Sequence, residues 1–123
     1  GELQLKNHID RSLLDFIKLY IDNFEKLDII RFYGLNPLSK IDIKELSIAT
    51  NNNEKDINKS LKELVNDRII KETVLDGNKL YELPKDKNVL EHVKRFISYY
   101  NKTSIRLLII GYLLDKSIES KGK

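Results

Sequence analysis

The chain has 123 residues, 41% hydrophobic and 33% charged, and its 22 basic and 19 acidic side chains nearly cancel to a net charge of +3. That length supports one domain, residues 1–123, around one core, and the slight positive balance suits an anionic partner without requiring one. The lack of cysteine excludes disulfides, thiolate metal sites and cysteine nucleophiles, and fits a cytoplasmic compartment.

The first ten residues, GELQLKNHID, contain no apolar core with a basic flank, so no signal peptide is expected, and Gly1 in place of methionine reads as processing or a cloning scar. Leu13, Ile17, Tyr20, Phe24 and Leu27 then recur every three or four residues, which is helical periodicity. Asp22, Asn23 and Glu25 supply a second start, dividing the stretch into helices over about residues 9–21 and 23–33; one unbroken helix is the alternative. Gly34 is expected to take the left-handed conformation after the second helix, and Pro37 makes GLNPLSK a loop.

Asp42 can cap a short amphipathic helix in IDIKELSIA, with Ile43, Leu46 and Ala49 inward. The next four residues, TNNN at 50–53, are a turn, because asparagine tolerates positive φ better than other non-glycine residues. A helix from Glu54 to about Asn66 places Ile57, Leu61, Leu64 and Val65 on one face and Lys55, Asn58, Lys59 and Lys62 on another. RIIKETVLDGNKLYEL follows with Asp76-Gly77 between two β-prone runs, a strong hairpin signal. Its register pairs Leu75 with Asn78 and Ile70 with Leu83, putting Ile70, Val74, Tyr81 and Leu83 on one face with Glu72 discordant.

Two more helices are predicted over about residues 87–101 and 103–118. The last is apolar nearly all round: Ile105, Leu108, Ile109, Tyr112 and Leu113 fill one side, Leu107, Ile110 and Leu114 another. Its longest apolar run is half the roughly 20 residues that span a bilayer, so no membrane partner is expected. The SIESKGK tail reads as disordered.

The order helix, helix, short helix, turn, helix, hairpin, helix, helix resembles the winged helix-turn-helix regulators, especially the multiple-antibiotic-resistance (MarR) and arsenic-response (ArsR) families. KEL at 44–46, the turn at 50–53, INKSLKELVNDRIIKE at 57–72 and DGNKLYEL at 76–83 carry the likeness. The implied fold is mainly α with a small β-hairpin: N-terminal helices over 9–33, a helix-turn-helix plus wing over 40–84, and C-terminal dimerisation helices over 87–118. The implied function is sequence-specific duplex DNA binding by a homodimeric transcriptional regulator. Lys40, Asn52, Asn53, Lys55, Asn58, Lys59, Lys62 and Lys79 become the DNA-binding set. Leu13, Ile17, Ile105, Leu108, Ile109, Tyr112 and Leu113 become the dimer interface.

The chain departs from those families in two places. The MarR wing carries an acidic residue and an arginine near its tip, whereas Asp76, Gly77, Asn78 and Lys79 stand here. ArsR metal sensors use cysteine pairs or clustered histidines, whereas His8 and His92 are isolated, so no metal or cofactor is expected.

Across residues 40–71 seven basic side chains face six acidic ones, so no basic stripe argues for DNA by itself. A solvated helix face remains the plain alternative for Lys55, Lys59 and Lys62. Asn58 suits bidentate bonding to adenine and is as readily a surface residue. Tyr99, Tyr100 and Tyr112 read as core before effector pocket, and the sequence does not say whether a small-molecule effector exists. No nucleophile elbow, phosphate loop or metal-ligand motif is present, so an enzyme is not expected. The rival functions are a winged helix protein-interaction module and a DNA-binding subunit of plasmid or viral replication or partition.

Overall fold

The computed structural model describes residues 1–121 and is mainly helical, with one two-stranded antiparallel hairpin. Its elements in chain order are α1 (Glu2–Lys6), α2 (Arg11–Tyr20), α3 (Phe24–Leu35), α4 (Ile43–Thr50), α5 (Glu54–Asn66), β1 (Lys71–Leu75), β2 (Asn78–Glu82), α6 (Lys87–Tyr100) and α7 (Thr103–Lys121). No helix among the described residues is long and apolar enough to cross a membrane.

Side-chain caps set most helix starts. Asp10 accepts from Leu13 N–H at 2.9 Å to begin α2, and Asn23 accepts from Lys26 N–H at 2.7 Å to begin α3. Between them Ile21 leaves the helical region (φ −121°, ψ 71°), so α2 and α3 are separate helices. Asp42 and Glu45 form a reciprocal capping box on α4. Asp86 caps α6 through the N–H groups of Asn88 and Val89.

The hairpin has the expected register at its tip, where Leu75 faces Asn78, but its ladder ends at Lys71 and Glu82, one pair short of Ile70 and Leu83. Asp76 (φ 51°) and Gly77 (φ 79°) both take positive φ, the condition for a type I′ turn. Ile70, Tyr81 and Leu83 are buried, whereas Val74 is 61% exposed because nothing underlies the hairpin tip. Ile41 exchanges both backbone hydrogen bonds with Tyr81, at 3.2 and 2.7 Å, which attaches the hairpin base to the segment leading into α4.

One hydrophobic cluster draws on every helix and on the hairpin base. Leu13 and Ile17 of α2, Ile29, Ile30 and Tyr33 of α3, Phe96 of α6 and Ile109 of α7 lie at its centre, and Leu46, Ile57, Leu61 and Leu64 attach α4 and α5.

Three expectations are corrected. The first concerns Gly34, which lies inside α3 with no positive φ, while the helix runs on to Leu35 and ends with Asn36 bonding back to Phe32 O. Glycine is needed there for contact: a Cβ would sit 2.0 Å from Cγ1 and 3.3 Å from Cβ of Ile97 on α6.

The second concerns the dimer set. Leu13, Ile17, Ile105, Ile109, Tyr112 and Leu113 are all buried in the chain's own core, and Leu108 packs against it half-buried. A short helix absent from the sequence reading supplies part of that cover: α1 packs on α7 and buries Leu5 completely. Glu2 ties α1 to Lys18 of α2 at 2.6 Å, and the amino terminus reaches Asp115 of α7 at 3.3 Å. The side of α7 left exposed carries Leu107, Leu114 and Ile118.

The third concerns the expected disordered tail. α7 continues through Lys121, so residues 117–121 are helical, and Gly122 and Lys123 lie outside the described residues.

Gly34→Ala should lower stability by about 1–3 kcal/mol through overpacking against Ile97, although alanine in a helix interior gains roughly 1 kcal/mol over glycine. Urea titration of the two proteins measures the balance, and a more stable variant would show that Ile97 moves aside freely.

Candidate nucleic-acid interface

The candidate surface is organised by the reversal between α4 and α5. Asn51 occupies the left-handed region (φ 55°, ψ 40°) and returns its N–H to Ser47 and Ile48 carbonyls. Asn52 N–H donates to Ser47 O at 3.1 Å, and the Ser47 hydroxyl donates to Asn52 O. The Asn52 amide donates to Asp28 Oδ2 at 3.0 Å and to Thr50 O at 3.2 Å, anchoring the turn to α3. Asn53 caps α5 by accepting from Asp56 N–H at 2.8 Å, and its Nδ2 donates to the Asp56 carboxylate at 2.9 Å. Both amides therefore hold the turn, a structural role that the sequence did not assign to them.

The rotational setting of α5 follows from what it buries. Ile57, Ser60, Leu61 and Leu64 face inward, leaving Lys55, Lys59 and Lys62 exposed on the opposite side and Asn58 half-buried at its margin. Two polar contacts with α3 reinforce the setting. Asn23 Nδ2 donates to Ser60 Oγ at 3.2 Å, and Lys26 Nζ lies 2.9 Å from Asp22 and 2.6 Å from Glu63 of α5. The Lys26 side chain is only 4% exposed. Burial alone would lower its pKa, but the hydrogen bonds to Asp22 and Glu63 outweigh that and raise it above the ordinary lysine value.

A groove of about 720 Å³ brings Lys55, Asn58, Lys59 and Lys62 together. Its walls also include Asp22, Glu25, Asp56 and Glu63, with Ser120 of α7 at the edge. With Lys26 beneath, four ammonium groups stand among four carboxylates, so the surface is mixed rather than basic. Glu54 and Asp56 also occupy the first turn of α5, where the helix dipole favours negative charge.

Lys79 belongs to the hairpin instead, and Lys40 reaches it from the segment before α4. Lys40 pairs with Glu82 at 3.4 Å, and Lys79 is exposed on β2 opposite Val74. The hairpin is anchored by Tyr33, whose buried hydroxyl donates to Tyr81 O at 2.6 Å. Burial, then the nearby Glu82, pushes the Tyr33 phenol well up, and burial with Glu72 pushes Tyr81 up to about 12.

Sequence reasoning missed Lys26, Asn23 and Ser60 as the supports of this surface. Asp22 at i−4 from Lys26 is visible in the sequence, but Glu63 lies 37 residues away and meets it only in the folded chain. Among the described residues no group of three or more histidine, aspartate or glutamate side chains is placed to hold a metal ion. Comparison with family models, with curated proteins and with solved structures returned no significant match.

Lys26→Met should destabilise the chain by about 1.5–3 kcal/mol, the range for hydrogen bonds to charged groups. Because the folded pKa of Lys26 is raised, its contribution is whole below the ordinary lysine value and is lost as pH climbs through the raised one. Tyr81, also raised, weakens the fold in the same alkaline direction. Urea titrations near neutrality and above about pH 11 should show the gap between wild type and Lys26→Met closing; a gap unchanged by pH would remove the charge argument.

Proposed function

We propose that the chain is a winged helix-turn-helix protein that binds duplex DNA as a homodimer and regulates transcription from the site it occupies. In this reading α4 and α5 form the helix-turn-helix, β1 and β2 the wing. The observation that carries it is the phase of α5: Lys55, Lys59 and Lys62 project from one exposed face while the other is packed against α3 and α4. A helix presented this way suits the major groove, with Lys40 and Lys79 near the flanking phosphates. Asn58, at the margin of the lysine face, is the residue for base recognition.

The exposed side of α7 supports the dimer. Leu107, Ile110, Leu114 and Ile118 recur at spacings of three, four and four, and Gly111 among them has open space where a side chain would stand. A narrow apolar seam with a small residue at its middle allows two helices to approach closely. Two recognition helices would then reach successive major grooves about 34–36 Å apart on a palindromic site.

One observation favours a second reading, a protein-interaction module: Asp22, Glu25, Asp56 and Glu63 flank the lysines and offset them. Salt separates the two. With DNA, log K should fall against log salt with a slope of about −0.9 per phosphate contact, and Lys59→Glu should weaken binding to every sequence alike. A flat response in an anisotropy titration at low ionic strength would leave the protein-partner reading. Leu114→Glu, at a position already 51% exposed, should leave the monomer folded, convert the dimer to monomer in sedimentation, and reduce DNA affinity; an unchanged sedimentation coefficient would remove the α7 seam.

A further inference from the structure

A second groove, also of about 720 Å³, lies between α2, the start of α6 and the junction after α5. It shares no residue with the lysine face of α5. Phe16, Leu19, Tyr20 and Val89 supply apolar walls, and Ser12 and His92 open into it. Ser12 is exposed near the start of α2, and its Oγ lies 2.9 Å from Nε2 of His92, which comes from α6, 80 residues along the chain.

The other ring nitrogen decides the chemistry. His92 Nδ1 lies 2.7 Å from the carbonyl oxygen of Asn88. A carbonyl can only accept, so Nδ1 carries a proton, and in the neutral tautomer that this fixes the lone pair is at Nε2. In that tautomer the Ser12 hydroxyl donates to His92 Nε2. The ring is held in that attitude by stacking on Phe16, with centroids 5.3 Å apart and planes 13° apart.

A further feature fits a reacting serine. The first-turn N–H groups of Arg11 and Ser12 have no hydrogen-bond partner among the described residues, whereas Leu13 and Leu14 N–H are bonded to Asp10. Free donors at a helix start are suited to an oxyanion.

We propose that Ser12 is an acyl-accepting nucleophile activated by His92, and that this groove takes small esters with an apolar acyl group. Ser12 Oγ attacks the ester carbonyl carbon as its proton passes to His92 Nε2. The carbonyl π electrons move to oxygen, then return as the C–O bond to the alcohol breaks, and His92 gives its proton to the departing alkoxide. The acyl group, now esterified to Ser12, leaves when water attacks the same carbon: His92 takes the water proton and returns it to Ser12 Oγ, and a carboxylic acid is released. The Asn88 carbonyl acts as a positioning group through the imidazole.

The test is to treat the whole chain with p-nitrophenyl butyrate and, separately, with a fluorophosphonate, locating adducts by peptide mass spectrometry. The expected result is one adduct, on Ser12, that is lost when the chain is unfolded in urea before treatment. His92→Ala should lower the modification rate by about 100-fold or more, the usual contribution of a general base, and added imidazole should restore part of it. Thermal melting of the variant checks its fold, and the wild-type result stands whether or not the variant folds. The proposal is overturned if wild type acquires no adduct on Ser12, if adducts fall only on lysines or the amino terminus, or if a folded His92→Ala reacts as fast as wild type.

Discussion

Lys26 is the amine on which the joint between α3 and α5 is built. Taking an ammonium group out of water is costly, and the cost is offset only because Asp22 of the same helix end and Glu63 of the facing helix both meet it within 3 Å. Apolar packing of Ile57, Leu61 and Leu64 would tolerate small rotations of α5, whereas a charged pair with so short a reach does not. The ion pair therefore narrows the phase that burial of the apolar face sets, and the phase decides which side chains meet solvent. Asn23 and Ser60 add a directional contact at the same joint.

The turns on either side of α5 each contain a residue in the left-handed region that is not glycine. Asn51 starts the reversal before it, and Arg68 (φ 63°) ends the helix, with Arg68 N–H bonded to Val65 O and Ile69 N–H to Leu64 O. That closing motif usually takes glycine, so an arginine there carries a conformational cost. The outcome is a helix whose start is tied to α4 and whose end launches the hairpin, with Tyr33 holding the hairpin base from below. Lysine face, turn and hairpin thus share one support, α3. The mixed charge of the face has a common origin with its rigidity: Asp22 and Glu63, which offset the exposed lysines, are the carboxylates that hold Lys26.

Much of this architecture was legible. The boundaries of α5 and the tip register of the hairpin follow from local rules, namely an asparagine cap, a three-to-four residue apolar period and Asp-Gly at a turn. The same rules misplaced Gly34, because a glycine that permits close contact and a glycine that permits positive φ are the same letter. They missed α1, whose five residues bury only Leu5 and leave no period to detect. They assigned the buried stripe of α7 to a second copy because the cover supplied by α1 was not counted. Of the candidate interface, the three lysines are recognisable from spacing and Asn52 and Asn53 as turn residues, but the bonds of their amides to Asp28 and Asp56 are not.

The sequence by itself determined where helices start and stop, where the chain reverses and which residues are apolar, since those depend on interactions among neighbours a few positions apart. Only the tertiary structure decided that Lys26 is buried against Glu63, that Gly34 admits Ile97, and that Ser12 meets His92. Each of these joins groups tens of residues apart, and a pairing at that separation is set by how helices pack, which no local pattern records.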